Sequence, residues 1–269
     1  MTDKPLILAV ETSSRVGSVA LAAGPELLEE LQFSAPMQHS AEIFPAIDRL
    51  LKRYDRSPSE LEQVHVSIGP GSFTGLRIAA AMAKAMHLAH AVRIVAVDSL
   101  DVVAANLSDA SRRRFQDRSD RQETSILDRI AALFDAKRGQ FYAAAYEWAS
   151  PQSSESGGSR NEEPGYRIPA PNNGFWRKIL PDCLITVPEL IERFAGAGQI
   201  GLLGDGLLYH RDEFQADGIL VLPEPYWSPH AANVHLLGFQ KALAGRFADP
   251  LTLTPFYLRG PQVTLKKSP

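Results

Sequence analysis

The chain has 269 residues, with 28 Lys and Arg against 31 Asp and Glu, for a formal charge of −3. That near-neutral balance supplies no global drive toward nucleic acid or an anionic membrane, and a direct tRNA or DNA binder is expected to show a basic patch. The single cysteine, Cys183, excludes an intrachain disulfide and a thiolate-rich zinc site and fits a reducing compartment. Leu6 to Val10 is a short apolar run that reads as a buried strand. It is too short for the apolar region of an export signal. The longest apolar stretch, Ile78 to Val92, is interrupted by Lys84, His87 and His90, so it is no bilayer span, and the cytoplasm is the expected location.

Val16–Ala22 and Leu27–Phe33 follow across tight turns and predict an antiparallel meander with the first strand. The period then changes. Ile43, Ile47, Leu50, Leu51 and Tyr54 form the stripe of an amphipathic helix, with Pro45 expected in or near its first turn. Val64–Ile68 is a strand, and Gly69-Pro70-Gly71-Ser72-Phe73-Thr74-Gly75 is a loop leading into an alanine-rich helix to about His90. Ile94–Val97 is another strand, and Ser99 opens a further helix. The first hundred residues thus read β-β-β-α-β-α-β-α, a layered α/β unit. Residues 107–125, with Arg112, Arg113, Arg114, Arg118 and Arg121, read as a solvated surface loop, the alternative being a local RNA phosphate contact. A hairpin, Arg129–Phe134 and Phe141–Tyr146 about the turn Asp135–Gly139, begins a second α/β half. Residues 149–175 are rich in Ser, Gly, Pro, Asn and Glu and read as a flexible insertion. Thr186-Val187-Pro188-Glu189 is a capping-box helix start, Ile200–Leu203 a strand ending in Gly204-Asp205-Gly206, and Ser228-Pro229 opens the last long helix.

The loop at 69–75 is the richest local signal. Glycines permit sharp turns and close approach, Ser72 or Thr74 can cap the helix, and the helix start favours an anion. A Walker P-loop is excluded because Gly75 is followed by Leu76-Arg77 rather than Lys-Ser/Thr. A dinucleotide site and a plain tight turn stay open: the spacing GxGxxxG is one residue too long for the fingerprint, yet Asp98 ends the next strand where a ribose-binding acid would stand. In the following helix Gly75, Ala79 and Ala83 form one small-residue stripe, and Ala81, Ala85 and Ala89 another. Such stripes allow close packing on the parent sheet or on a helix of another subunit. The turn Glu11-Thr12-Ser13-Ser14 offers hydroxyls and N–H groups to a phosphate, or is simply a turn of small polar residues. The seven histidines, His39, His65, His87, His90, His210, His230 and His235, include no His-Glu-x-x-His or His-x-x-x-His pair, and there is no Gly-x-Ser-x-Gly elbow.

Leu8-Ala9-Val10-Glu11-Thr12-Ser13, Gln38-His39-Ser40 and Gly69-Pro70-Gly71-Ser72-Phe73-Thr74-Gly75-Leu76-Arg77-Ile78 resemble the bacterial TsaB family. Asp135-Ala136-Lys137-Arg138-Gly139-Gln140-Phe141-Tyr142, Gly204-Asp205-Gly206 and Pro255-Phe256-Tyr257-Leu258-Arg259 look like later landmarks of the same family. The resemblance implies an actin-like ATPase fold (ribonuclease H-like) of two α/β halves with mixed sheets: 1–106 as the partner-binding half, and 126–260 as the second half followed by a loose tail at 261–269. It implies a non-catalytic subunit of the complex that makes threonylcarbamoyladenosine on tRNA. Its partners there would be a TsaD-like catalytic subunit and a TsaE-like ATPase, a homodimer being the other mode of pairing, with tRNA met only through the complex and no membrane involved. ATP, ADP and Mg would be used by the complex rather than held as a cofactor of this chain. The partner face is expected on His39, Ile43, Ile47, Leu50, Phe73, Leu76, Ala79, Ala83 and His87. Any anion or nucleotide contact is expected on Glu11, Thr12, Ser13, Gly69, Gly71, Ser72, Thr74, Gly75, Asp135, Gly204, Asp205 and Gly206, with the second turn degraded by its lack of paired glycines. The alternatives are an actin-like small-molecule kinase or ATPase, with Asp135 near a magnesium ion, and, more remotely, a glycoprotease-like metallopeptidase.

Overall fold

In the computed structural model of the chain, residues 4–108, 127–150, 167–170, 174–196 and 198–259 are described. The arginine-rich run, most of the 149–175 stretch and the tail lie outside them. Strands β1 (Leu6–Glu11), β2 (Ser18–Ala23) and β3 (Glu26–Gln32) pair antiparallel as the expected meander. Strands β4 (Gln63–Ser67) and β5 (Arg93–Val97) add in parallel, for a sheet ordered β3-β2-β1-β4-β5. Helix α1 (His39–Arg53) and helix α2 (Phe73–His90) cover one face of this sheet. Pro45 lies in the second turn of α1, one turn later than expected, where its ring faces solvent. Ala91 ends α2 in the left-handed conformation, with its N–H on the carbonyl of His87.

The second sheet has six strands, in the order β11-β10-β6-β7-β9-β8. Strands β6 (Arg129–Asp135) and β7 (Gln140–Ala149) are the predicted hairpin, and β10 (Ile200–Leu203) runs parallel to β6. The pattern did not disclose β8 (Arg167–Ala170), β9 (Gly174–Thr186) or β11 (Ile219–Val221). β8 and the start of β9 fall within the stretch read as a flexible insertion. Polar Arg177, Lys178 and Asp182 interrupt any alternation in β9, and Pro181 masks it. That proline is tolerated because β8 pairs only with Gly174–Arg177, so the strand is an edge by the time it reaches Pro181. Helix α3 (Ser99–Ala104) and helix α4 (Val187–Phe194) start at Asp98 and Thr186, whose side chains accept from Leu100 N and Glu189 N.

The last helix, α5 (Ala231–Leu243), does not stay with the second sheet. It crosses the free face of the five-stranded one, opposite α1 and α2. One core therefore holds Leu6, Leu8, Val10, Val64 and Val66 under α1 and α2. The other joins Ala9, Val95, Val97, α3 and α5 to the buried residues of the second sheet.

Candidate functional site

A cleft of about 510 Å³ opens between the halves, lined by the Ser13–Arg15 turn, Gly71–Thr74, the Phe134–Lys137 turn, Asp205 and Tyr209. Its first wall is built by two loops pressed together. The N–H of Ser72 donates to the Ser13 carbonyl at 2.7 Å, and the Thr12 hydroxyl to the Gly75 carbonyl at 2.9 Å. The glycines serve that approach. A Cβ on Gly71 would stand 2.3 Å from Ser13 O, and one on Gly75 1.9 Å from Thr12 O. Gly69 packs in the same way on the Phe256 carbonyl. The open question of the 69–75 loop thus resolves toward a close-packed turn: these glycines hold protein backbone.

Several expected anion-binding groups are turned inward. Glu11 is fully buried, and its Oε1 accepts from both the N–H and the hydroxyl of Ser13 at 2.5 Å. Burial pushes its carboxyl above the usual range against those bonds. Thr12 is buried, with its hydroxyl committed to Gly75. Ser72 reaches the cleft edge, but its Oγ caps α2 by accepting from Gly75 N at 3.3 Å. Thr74 is exposed at the lip.

On the opposite wall Asp135 ends β6. Its carboxylate takes the Lys137 N–H at 2.7 Å and the Lys137 ammonium at 2.6 Å. Burial alone would raise its pKa, but the Lys137 contacts outweigh it and hold the group low. Lys137 and Arg138 both have positive φ, so the turn is made without the paired glycines of a phosphate cradle. Asp205 comes from the other end of this wall. Its Oδ2 accepts from the Ser14 hydroxyl at 2.6 Å and from the Arg15 N–H at 3.3 Å, joining the two halves. Burial raises the Asp205 carboxyl, while Ser14 and Arg15 N–H draw it back. Gly204, at φ +116°, lies so flat on β6 that a Cβ would meet Leu133 O at 2.1 Å, and one on Gly206 would meet it at 3.0 Å. An actin-like fold implies a nucleotide between its halves. The residues here do not fit one, since a carboxylate of the chain itself sits on the donors of the first turn.

The predicted partner residues fall mostly inside the molecule. Ile43, Ile47, Leu50, Leu76, Ala79 and Ala83 are buried against the five-stranded sheet, so they form core rather than a docking face. His39 is buried too, with Nε2 at 2.9 Å from the Ser14 carbonyl and its ring tilted on Phe33, and it supports the first turn from behind. His87 ties its Nδ1 to the Val92 carbonyl at 2.8 Å. Phe73 alone of the nine is well exposed, its ring tilted against Tyr257 and under the Arg77 guanidinium. The faces turned outward are those with Ala81, Ala85, Leu88 and Ala89 on α2 and Phe44 on α1, Leu88 being 83 % and Phe44 58 % exposed. Periodicity separated the two stripes of α2, and the one named for the partner face, with Ala79 and Ala83, is the one packed on the sheet.

Two structural ties were not foreseen. Lys178 of β9 reaches Asp98 at 3.1 Å, Asp101 at 2.8 Å and Asp182 at 2.6 Å, and Tyr146 donates to Asp101 at 2.7 Å. Burial pushes Asp98 and Asp101 up to about 6 despite the lysine. Asp98 thus caps α3 and joins the halves instead of meeting a ribose. The segment 254–259 is the second tie. Phe256 N–H donates to Ile68 O, Tyr257 OH meets Arg77, and Arg259 donates to Ala136 O at 2.7 Å, spanning from the glycine loop to the Asp135 turn.

A family model described as TsaD, tRNA N6-adenosine threonylcarbamoyltransferase, matches residues 34–173. The tRNA threonylcarbamoyladenosine biosynthesis protein TsaB of Bacillus subtilis is 26% identical over 258 residues, 94% of this chain and 93% of that protein. The Escherichia coli protein of the same name is 27% identical over 265 residues, 98% of each chain. The solved structure of YeaZ from Pseudomonas aeruginosa superposes with a TM-score of 0.67 at 22% identity, covering 94% of this chain and all of that one, and shows the shared fold.

Proposed function

We propose a scaffold role for this chain, which belongs to the TsaB/YeaZ branch of the TsaD-like family: it takes part in threonylcarbamoyladenosine formation on tRNA as a non-catalytic subunit. In this reading the outer faces of α1 and α2 dock on a TsaD-like catalytic subunit and order its cleft. The observation that carries it is the outer stripe of α2, where Ala81, Ala85 and Ala89 flank an almost bare Leu88. Small side chains let a partner helix approach closely, and an exposed leucine among them gains apolar burial only when something covers it. The polar groups of the first turn support the same reading, since Glu11, Thr12 and Ser13 are bonded within the chain. A TsaE-like ATPase joins the assembly, and tRNA is held mainly by the partner, in keeping with the net charge of −3.

The test is reconstitution. The chain mixed with a TsaD-like protein should form a complex on size exclusion with light scattering, and tRNA modification should depend on it. Leu88→Asp should abolish both while leaving the thermal midpoint of the free chain unchanged. Full modification by the catalytic subunit without this chain would overturn the reading, and so would turnover of a substrate by this chain alone.

A further inference from the structure

We propose that Asp205 is a built-in substitute for a bound phosphate, a latch that occupies the donors of the Ser14–Arg15 turn and ties the two walls of the cleft together without a ligand. Three features on the page lead there. The first is the pair of contacts: one carboxylate oxygen accepts the Ser14 hydroxyl at 2.6 Å and, at 3.3 Å, shares the Arg15 N–H with Ser14 Oγ, which that N–H meets at 2.6 Å; a turn of this kind offers its hydroxyl and amide to a phosphate oxygen. The second is how the carboxylate is delivered. Gly204 brings its backbone against Leu133 closer than a side chain allows, and Gly206 packs tightly on Leu133 and Asp135, which directs the intervening aspartate into the cleft. The third is charge. Arg15 and Lys137 on the cleft wall are balanced by Asp135 and Asp205, so the closed cleft carries no excess of positive charge for an incoming anion. Removing Asp205 leaves one positive charge in excess and frees the Ser14 hydroxyl proton, while the Arg15 N–H keeps its bond to Ser14 Oγ.

An ordinary bond between halves makes a different prediction, because its loss weakens the fold and nothing more. The latch is tested on the full chain by isothermal titration with pyrophosphate, for the wild type, Asp205→Ala, Asp205→Asn and Ser14→Ala. The wild type should bind at most weakly in the millimolar range. Asp205→Ala should bind at least about tenfold tighter, a modest demand on one unit of charge removed at contact distance. Asp205→Asn keeps the shape and loses the charge, and should gain in the same direction with its unfolding midpoint near that of the wild type. Ser14→Ala keeps the carboxylate and should gain nothing. Equal affinity for pyrophosphate in the wild type and Asp205→Ala overturns the latch, as does a failure of both Asp205 variants to gain affinity. The test needs no partner, so its failure leaves the docking proposal standing, and loss of docking leaves the latch standing.

Discussion

The two faces of the five-stranded sheet are both buried, yet they are built from opposite materials. Leu6, Leu8, Val10, Val64 and Val66 point toward α1 and α2, and that layer is apolar throughout. The alternate positions Gln63, His65 and Ser67, with Glu11 beside them, lie buried on the side covered by α5, and among the described residues Glu11 Oε2, His65 Nδ1 and Ser67 Oγ have no hydrogen-bond partner. The difference teaches what each cover does. The apolar face binds its helices by shape, with small residues setting the distance. On the polar face burial penalises the charged forms of Glu11, His65 and His235, and a carboxylate such as Glu30 stays charged only where bonds to His230, Ser18 and Ala231 offset it.

The strongest way to break this contrast is at the tightest point of the apolar layer. Gly75→Val places a Cβ where Thr12 O already stands, 1.9 Å away, and should destabilise the chain by about 3 kcal/mol or more in urea unfolding. Ala79→Leu overfills a fully buried site and should cost about 1–3 kcal/mol by the same measurement. Next in size is the outer stripe of the same helix. Ala85→Arg should weaken pairing with a TsaD-like protein by roughly ten- to a hundredfold, while free-chain stability moves by no more than about 0.5 kcal/mol. An equal loss of stability in Ala79→Leu and Ala85→Arg would show that the two stripes do not differ as described.

The polar face is sharpened by pH. His65 stacks on His235 at 5.9 Å and is held neutral by burial and by its neighbour, with its pKa lowered to about 3. A histidine depressed in the folded state contributes full stability above its unfolded pKa of about 6.5 and loses it as pH falls toward the folded value. Between pH 7 and pH 5 the chain should lose about 2 kcal/mol through His65, and His235, also lowered by burial, adds in the same direction. His65→Gln should flatten that slope in unfolding titrations at pH 7, 6 and 5. A slope unchanged by the substitution would remove His65 from the account.

The order of elements was legible in the first half because β1 and β5 are apolar runs and α1 is a clean stripe. Leu6–Val10, Ile94–Val97 and the Ile43/Ile47/Leu50 stripe all lie where the period puts them. What periodicity cannot say is which of two small-residue stripes meets the sheet, because Ala79 and Ala85 differ in neighbours rather than in chemistry. The second half was less legible, since β9 spends Lys178 and Asp182 on buried ion pairs that read as surface residues. Of the proposed anion set, the turns were found, but Glu11 looked like a free carboxylate until Ser13 was seen to enclose it. Asp205 was named for its glycine flanks, and its partner Ser14, 191 residues away in sequence, could not be read from any local window.

The smallest expected effect concerns how α5 is fastened to the polar face. His230 precedes the helix but provides no side-chain cap. The Ala231 N–H is met instead from the sheet, by Ser18 Oγ at 2.8 Å and by Glu30 Oε1 at 2.7 Å. A cap supplied across the fold should behave like a local one, so Ser18→Ala should cost about 1 kcal/mol. Glu30 adds a charge beside the positive end of the helix dipole, and His230 answers it: although burial raises the Glu30 pKa, its bonds to His230, Ser18 and Ala231 lower it overall. A carboxyl lowered in the folded state stabilises above its unfolded pKa and stops doing so as pH falls through the folded one, so Glu30→Gln should matter at pH 7 and fade below pH of about 4. Ser18→Ala removes one of the bonds that lower Glu30, so it should show the same sign of pH dependence in smaller measure. Measuring both variants at pH 7 and pH 4 separates the hydrogen bond from the charge, and a pH-independent Glu30→Gln would assign the whole effect to the bond.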